Sequence, residues 1–411
     1  MSLNPKILRE EGRVGDSLMN KKRKRVCFVC YGLGIGGIEK CLVNLINNMS
    51  EELYTIDLLL MNPELDLRND IKRKINYIDW FQYVLNTTDV VPEIKYRGGV
   101  IKNWKSFLRY CLFRAINKMG MDSWKLFRKL PGNYDIAIAY SQNDFSPYYV
   151  IDKVMARRKV LWYHNGAYEG IGKKKQRDMK YYPQFDYVVA VSSDCKSVLE
   201  KKFDFSENQL IVLRNICDVG EIIRKSEEFV PYETKDDCII IATVGRMTRE
   251  KGANLVLDAC EYLKNKNVKC RWHWIGDGNC REQVVQEIKK RGLQKYFILE
   301  GKQVNPYPFM KCADIYVQPS YYEAYSTTVT EAKILKRPII ATDVGGMRDQ
   351  ICDGTNGMLV KIDAVEIAKA IESLCYNREI REKYSSILRE ETLGTENIMS
   401  TYEKTVFGEV Y

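Results

Sequence analysis

The stretch PSYYEAYSTTVTEA, residues 319–332, contains two glutamates that could act together. Glu323 falls in a predicted loop, and Glu331 falls about one and a half turns inside the helix that begins near Ser326. A helix start offers free backbone N–H groups and the positive end of its dipole, which suit a phosphate. Two carboxylates lining one groove could accept hydrogen bonds from two sugars. Alone, the pattern is more typical of a first-turn acid and a solvated helix acid than of a ligand site.

Two more stretches of the second half place useful groups at the ends of predicted strands. TVGRMTREKG, residues 243–252, puts Arg246 and Lys251 at a carboxyl strand end, where two cations suit an anion such as a diphosphate. Alone, a basic loop of this kind is more often a solvated turn. In ATDVGGMRDQICDGTNGMLV, residues 341–360, Gly345–Gly346 lets the backbone pass close to another group.

The chain has only two histidines. His164 follows the predicted strand KVLWY, so it stands at a carboxyl strand end that faces the predicted cleft. His273 lies inside the apolar strand CRWHWIG, where a structural role is the simpler interpretation.

A glycine loop opens the first predicted structured element, CYGLGIGGIEKCL, residues 30–42. The spelling G-x-G-x-x-G after an apolar run is that of a dinucleotide-binding turn, which requires an acid at the end of the second strand. Asp57 has the right distance but lies inside that strand. We therefore keep an NAD-dependent oxidoreductase as an alternative and interpret the loop as a close backbone approach to a ligand. The glycines of that approach are Gly34, Gly36 and Gly37.

Strand-like and helical runs alternate along both halves of the chain, as a doubly wound parallel sheet requires. The clearest helical spacings are Ile38–Met49, Ala253–Asn265, Arg281–Arg291 and Ala364–Tyr376. We expect an α/β protein with two Rossmann-like domains facing each other across a cleft. The predicted parts are a leader or disordered tail at 1–20, a first Rossmann-like domain at 21–217, a second Rossmann-like domain at 218–394 and a final helix, 395–411, that could join the first domain.

Composition excludes several classes of protein. The 411 residues are 45% apolar, which is globular, and no apolar run approaches the ~18 residues of a membrane span. Thirteen scattered cysteines are typical of buried free thiols, hence of the cytoplasm. The net charge of +10 is concentrated in the first half. Residues 95–130 hold ten Lys or Arg and one acid, interleaved with aromatic residues, which indicates an anionic membrane surface or a solvated helix. Nucleic acid ranks lower, since no nucleic-acid module is present.

The three stretches of the second half, in this order and spacing, resemble the retaining glycosyltransferases of family 4, which have the GT-B fold. The resemblance runs from about Gly245 to Val360 and continues more weakly in GIGGIEKCLVNL and at His164. It implies transfer of a hexosyl unit from a nucleotide-sugar, UDP-linked by preference, to an acceptor hydroxyl. The basic face suggests a lipid-linked saccharide acceptor at the inner face of the cell membrane.

The resemblance also implies roles for individual residues. Arg246 and Lys251 would neutralise the leaving diphosphate, Glu331 would hold the ribose, and Glu323 and His164 would contact the donor sugar. The remaining donor-binding positions are Ser326, Thr327, Tyr325, Gly276 and Gly278. Ala324 and Ser326 flank Tyr325 where many family members have glycines, which narrows the sugar pocket.

The reaction mechanism and its requirement for a metal or cofactor are expectations as well. No nucleophile is evident, so we expect a front-face reaction in which the leaving diphosphate receives the acceptor's proton. No D-x-D metal motif is present, and the two cations can carry the charge, so we expect neither metal nor cofactor. A second alternative is a non-catalytic GT-B-fold binding protein that keeps the membrane face.

Overall fold

The structure is a computed structural model, and it describes residues 23–34, 36–60, 66–79, 116, 122–232, 237–391 and 395–408. The predicted leader at 1–20 lies outside these residues. So does most of the basic stretch at 95–130.

The first domain is built on a parallel sheet of seven strands in the order β3-β2-β1-β4-β5-β6-β7. Its strands are β1 (Lys24–Cys30), β2 (Tyr54–Leu60), β3 (Asn76–Asp79), β4 (Leu130–Ala139), β5 (Val154–Tyr163), β6 (Tyr187–Ala190) and β7 (Leu210–Val212). Its helices are α1 (Gly37–Asn48), α2 (Ser146–Lys153), α3 (Gly172–Tyr181) and α4 (Ser193–Glu200). The central strands β1, β4 and β5 each end in a buried apolar run, because helices cover both faces of the sheet there.

The second domain repeats this plan with six parallel strands in the order β10-β9-β8-β11-β12-β13. Its strands are β8 (Ile239–Val244), β9 (Cys270–Ile275), β10 (Phe297–Gly301), β11 (Ile315–Gln318), β12 (Ile339–Thr342) and β13 (Met358–Val360). Its helices are α5 (Val219–Lys225), α6 (Ala253–Asn265), α7 (Arg281–Arg291), α8 (Tyr307–Cys312), α9 (Thr327–Ile334), α10 (Ala364–Tyr376) and α11 (Arg378–Glu390). The predicted α/β architecture of two Rossmann-like domains is confirmed.

Both faces of each sheet are buried in separate cores. Cys27 and Cys30 illustrate this, because successive strand residues point to opposite faces. Cys30 packs in one core of the first domain and Cys27 in the other. The C-x-x-C sequence of residues 27–30 is therefore not a thiol pair.

The chain crosses between domains twice. Ile216 packs in a first-domain core and Cys217 in a second-domain core, so one crossing lies between these residues. After α11 the chain returns to the first domain through α12 (Thr395–Tyr402) and a π-helical turn, Glu403–Phe407. The Tyr402 hydroxyl donates to the carbonyl of Arg214 at 2.6 Å. Phe407 packs on Tyr54, with ring centroids 5.5 Å apart.

Candidate active site

The carboxyl ends of the two sheets meet across direct contacts between the domains. The Tyr322 hydroxyl of the second domain donates to Asn165 Oδ1 at 2.7 Å and accepts from the backbone N–H of Ala167. The backbone N–H of Ser193 donates to Asp349 Oδ2 at 2.6 Å. Loops that follow β5 and β6 thus face loops that follow β11 and β12, which brings the predicted residues of both halves to one place.

Glu323 and Lys251 form an ion pair at the centre of this junction. Lys251 Nζ lies 2.5 Å from Glu323 Oε1, and Ser320 Oγ and Gln318 Nε2 donate to the same oxygen at 2.8 and 3.2 Å. Glu323 is 8% exposed. Among the described residues, no hydrogen bond reaches its second oxygen, Oε2. That oxygen is therefore the one available to accept from a hydroxyl group of a ligand.

Glycines on both sides hold the backbone of Glu323 and Ala324 in place. The N–H of Gly346 donates to the carbonyl of Glu323 at 3.2 Å, and a Cβ on Gly346 would lie 1.8 Å from the carbonyl oxygen of Ala324. From the first domain, a Cβ on Gly166 would lie 3.1 Å from Ala324 Cα. The predicted close approach of Gly345–Gly346 is thus an approach to the loop that carries Glu323.

The two cations of the loop after β8 differ in their surroundings. Lys251 is paired with Glu323, whereas Arg246 is exposed and forms no ion pair with any described carboxylate. An unpaired guanidinium presents a fork of N–H donors that matches phosphate oxygens. Arg246 is therefore the cation that is free to bind an anion without first giving up a partner.

Gly276 and Gly278 pack closely against the backbone of the loop that carries Arg246. A Cβ on Gly276 would lie 1.9 Å from the carbonyl oxygen of Gly245, and one on Gly278 would lie 2.4 Å from that of Met247. Both glycines therefore contact protein backbone, so the structure gives them a role in positioning the loop of Arg246. Their predicted part in binding the donor stays a prediction.

We expect Gly276→Ala to lower the free energy of unfolding by roughly 2–4 kcal/mol, because a side chain here is both clashing and strained. The φ of Gly276 is +145°, and the contact is with backbone that cannot rotate away. Gly245→Ala is the matched control, since nothing lies within 4 Å of a Cβ there. Urea unfolding of both variants measures the difference, and equal stabilities would show that the close approach is unimportant.

At the start of α9, the predicted phosphate site, the backbone and side chain of Ser326 both form hydrogen bonds within the protein. Ser326 caps the helix, its Oγ accepting from the N–H of Val329 at 3.4 Å, and its own N–H donates to Gln350 Oε1 at 2.9 Å. The backbone amide of Ser326 therefore donates to Gln350 in this structure, and its predicted contact with phosphate stays a prediction. A Cβ on Gly37 of the glycine loop would lie 3.6 Å from Thr327 Oγ1.

The glycine loop therefore faces the second domain directly. Gly37 lies beside Thr327, and a Cβ on Gly36 would collide with the carboxylate of Glu39. Both glycines thus lie beside protein groups, and their predicted close approach to a ligand stays a prediction. Gly34 lies in the same loop, between β1 and α1. Tyr325, predicted to bind donor, packs against the core of the first domain.

Glu331 is buried at the junction of the domains, at 4% exposure. Tyr307, on α8, donates its hydroxyl to Glu331 Oε1 at 3.1 Å. Lys40, on α1 of the first domain, lies 5.6 Å from the centroid of the Tyr307 ring. Desolvation raises the pKa of Glu331 above its ordinary value, although the Lys40 charge and the Tyr307 hydrogen bond oppose the shift. A raised pKa at a domain junction is typical of functional carboxylates.

His164 stands at the end of β5 with a neutral ring. Its ring lies 4.8 Å from that of Tyr140, and its backbone N–H donates to Gln142 Oε1 at 3.2 Å. Burial lowers the pKa of His164 to about 3, so the imidazole is uncharged at neutral pH. Its Nε2 atom is buried and has no hydrogen-bond partner among the described residues. The side chain can therefore contribute one hydrogen bond to a ligand but not a charge.

The structure places the other predicted residues away from the junction. His273 Nδ1 lies 2.7 Å from Glu300 Oε1 within the second sheet, in line with a structural role. Asp57, the acid that an NAD site would need, pairs with Arg25 at 2.9 Å and accepts from the Tyr134 hydroxyl at 2.7 Å. This carboxylate is held inside the sheet and cannot bind a ribose beside the glycine loop.

Sequence patterns did not reveal Lys40 and Tyr307. Lys40 directly follows Glu39 in the glycine-loop motif, which was the one signal available. Tyr307 lies in a short helix without a recognisable pattern. Among the described residues, no three His, Cys, Asp or Glu side chains are grouped as a metal site requires. Within the same part of the chain, no helix is both long and apolar enough to span a membrane.

Comparisons with known proteins agree with this geometry. Residues 224–391 match the family model of glycosyl transferases group 1. Alpha-D-kanosaminyltransferase of Streptomyces kanamyceticus is 31% identical over 151 residues, 36% of this chain and 39% of its own length. The Campylobacter jejuni N-acetylgalactosamine-N,N'-diacetylbacillosaminyl-diphospho-undecaprenol 4-alpha-N-acetylgalactosaminyltransferase is 22% identical over 358 residues, 87% of this chain and 91% of its own length.

Solved structures share the whole fold. HepE of Anabaena in complex with UDP-glucose has a TM-score of 0.68 at 14% identity, and the match covers 94% of this chain and all of that one. By sequence, this chain spans about half the length, or less, of the first curated relatives it matches. Two facing Rossmann-like domains with the site at their junction define a protein of the GT-B fold. Over residues 224–391 the second domain is similar to glycosyl transferases group 1, in line with the resemblance of its three motifs, while family 4 within that group stays a prediction.

Proposed function

We propose that the protein is a retaining glycosyltransferase that moves a hexosyl unit from a nucleotide-sugar to an acceptor hydroxyl. The observation that carries the proposal is the Lys251–Glu323 pair, in which Oε2 of a buried carboxylate stays open beside a cation. A donor sugar can place a hydroxyl on Oε2, and its diphosphate can lie toward Lys251 and Arg246. The match of residues 224–391 to group 1 supports this assignment.

UDP is the nucleotide that the comparisons favour. HepE was solved with UDP-glucose, and TarM of Staphylococcus aureus was solved with UDP. The buried Glu331 fits a contact with ribose hydroxyls, because a carboxylate accepts two such hydrogen bonds. The neutral His164 would orient the donor sugar through Nε2.

The reaction would use these groups without a protein nucleophile. As the sugar–phosphate bond breaks, negative charge develops on the leaving diphosphate, and Arg246 and Lys251 stabilise it. The acceptor oxygen attacks from the same face, and its proton passes to the leaving phosphate oxygen. Because two cations already meet this charge, we propose that the reaction needs no metal.

The proposed acceptor is a saccharide carried on a membrane lipid. The name of the Campylobacter relative describes a substrate carried on diphospho-undecaprenol. The basic sequence at 95–130 suits the anionic inner face of a cell membrane, so we place the protein in the cytoplasm as a peripheral membrane enzyme that takes a lipid-linked saccharide. Failure to bind anionic vesicles at physiological salt would contradict this part.

A nucleotide-release screen tests the function. UDP-, GDP- and ADP-sugars are offered with the purified protein, and the Glu331→Ala variant serves as the impaired control. We expect nucleotide release from a UDP-sugar that the variant reduces by at least about tenfold, as removal of a charged hydrogen-bond partner predicts. If no sugar nucleotide is bound or turned over, or if NADH binds instead, the proposal is wrong.

A further inference from the structure

Gln318, the last residue of β11, lies against the Lys251–Glu323 pair and is 1% exposed. Its side-chain Nε2 donates to Glu323 Oε1 at 3.2 Å and to Ser320 Oγ at 2.9 Å. The Ser320 hydroxyl in turn donates to the same Glu323 oxygen at 2.8 Å. One buried amide therefore supports Glu323 Oε1 twice, directly and through a second donor.

Two hydroxyl groups fix the orientation of this amide. Tyr316 and Thr328 donate to Gln318 Oε1 at 2.7 and 3.0 Å. Tyr316 is completely buried, and desolvation raises the pKa of its hydroxyl, which is therefore protonated at neutral pH and able to donate. An amide oxygen accepts and an amide nitrogen donates, so only one orientation suits hydroxyl donors on one side and a carboxylate on the other. All four hydrogen-bonding positions of the side-chain amide are used.

The same amide connects Glu323 to the start of α9. Thr328 lies in the first turn of that helix, and its Oγ1 atom lies 3.1 Å from the Oγ atom of the capping residue Ser326. A rotation of the Gln318 side chain would leave several buried polar atoms without partners, which is costly. The network therefore keeps the Glu323 carboxylate and the helix start in one relative arrangement.

We propose that Gln318 is a positioning residue for the transfer reaction, which holds Oε1 of Glu323 toward the protein so that Oε2 stays open to the donor sugar. The inference rests on the proposed function and adds to it a residue that acts through Glu323. Lys251 does not fix this orientation, because an ammonium group can meet either carboxylate oxygen as a point charge. The hydrogen bonds from Gln318 and Ser320 are directional and reach only Oε1.

Gln318→Leu tests this role, because leucine fills a similar volume and removes both halves of the amide. We expect kcat with the nucleotide-sugar that the release screen identifies to fall at least about tenfold, while the Kd of UDP changes less than about threefold. UDP lacks the sugar that Glu323 is proposed to contact, so its binding does not depend on Oε2. Steady-state kinetics and calorimetry measure the two quantities, and circular dichroism establishes that the variant is folded. A folded variant with kcat within about threefold of the wild type would overturn the proposal.

The matched control is Gln209→Leu, which removes another buried glutamine. Gln209 is 6% exposed, donates to the carbonyl of Pro183 at 3.0 Å and accepts from the Ser206 hydroxyl at 3.1 Å. It precedes β7 at the amino edge of the first sheet, away from the junction. We expect a loss of stability similar to that of Gln318→Leu and an unchanged kcat of the folded protein. An equal fall of kcat in both variants would mean that lost stability explains the effect, which would contradict a positioning role.

Gln318→Glu gives a readout that a merely structural role would not move. The introduced carboxyl group can donate to Glu323 only while it is protonated, and two carboxyl groups in contact share one proton, which raises one pKa of the pair. The charge of Lys251 keeps Glu323 ionised, so the proton lies on the introduced group. Among the described residues, the titratable groups in hydrogen-bond contact with this position or with Glu323 are Glu323 itself, Lys251 and the Tyr316 hydroxyl.

The activity of Gln318→Glu should therefore depend on pH in a way that the leucine variant does not share. Relative to the wild type at the same pH, we expect kcat within about threefold at pH 5.5 and at least about tenfold lower at pH 8.5. Circular dichroism at both pH values establishes that the variant is folded, and this variant carries the test if Gln318→Leu does not fold. A ratio to the wild type that stays constant with pH would show that the side chain does not act through Glu323.

Turnover by the wild type distinguishes this inference from the proposed function. If the wild type turns over a sugar nucleotide and folded Gln318→Leu keeps its kcat, the inference fails while the proposed function stands. If the wild type neither binds nor turns over any sugar nucleotide, the proposed function fails, and the positioning role of Gln318 fails with it.

Discussion

Glu323→Gln is expected to reduce nucleotide-sugar turnover by about 10²-fold while changing the affinity for UDP by less than about threefold. The amide keeps the shape of the side chain and can still accept from Ser320. It loses the negative charge that pairs with Lys251 at 2.5 Å. It also replaces one acceptor oxygen by a donor, which reverses the hydrogen bond expected from the donor sugar. Steady-state kinetics and calorimetry with UDP measure the two effects.

The matched control for this variant is Glu366→Gln, which removes an exposed ion pair with Lys369 at 3.0 Å. Solvent-exposed ion pairs contribute little to stability, so this control should behave as the wild type. Circular dichroism establishes that both variants are folded. Turnover by folded Glu323→Gln within threefold of the wild type would remove Glu323 from the proposed mechanism.

Glu331→Gln is expected to make the free protein more stable at alkaline pH and to weaken UDP binding at least tenfold. The folded-state pKa of Glu331 is raised by desolvation, so folding favours its protonated form. The stability from this preference is present at low pH and is lost as pH rises through the folded pKa. Glutamine does not titrate and keeps an oxygen for the Tyr307 hydroxyl, so the variant avoids that loss but cannot accept two ribose hydroxyls with equal strength.

Urea unfolding at pH 5 and pH 8, with calorimetric titration of UDP, tests both halves of this prediction. The stability gain of Glu331→Gln should be larger at pH 8 than at pH 5. Glu372→Gln, on α10 and away from the junction, is the control and should show neither effect. Unchanged UDP affinity in the Glu331 variant would mean that the carboxylate serves the domain junction rather than the nucleotide.

Sequence patterns predicted the second domain better than the first. The helices Ala253–Asn265, Arg281–Arg291 and Ala364–Tyr376 begin and end at their predicted residues, because an apolar stripe marks two of them and a left-handed glycine ends the other. In the first domain, α3 escaped prediction because lysines fill most of its first turn and it buries little beyond Asp178 and Tyr181. Strand β3 has only four residues, too few to establish an alternation.

The residues of the candidate site also fall into two groups, those that the sequence predicted and those that it did not. Glu323, Lys251 and the Gly345–Gly346 turn were predictable, since each belongs to a short stretch whose spacing has a local cause. Contacts between residues far apart in sequence were not predictable. Lys40 meets Tyr307 only because the two sheets face each other, and Ser326 loses its free amide to Gln350 from another loop. A single sequence contains no signal for such pairings.

The return of the chain to the first domain limits how the molecule can move. Because residues beyond α11 pack with Tyr54 and Arg214, the second domain is tethered to the first at both of its ends. A body held by two tethers swings most easily about the line that joins them and resists twisting across it. Opening would therefore be a rotation of the second domain about one fixed axis, and each closure would return Glu323 and His164 to the same relative position.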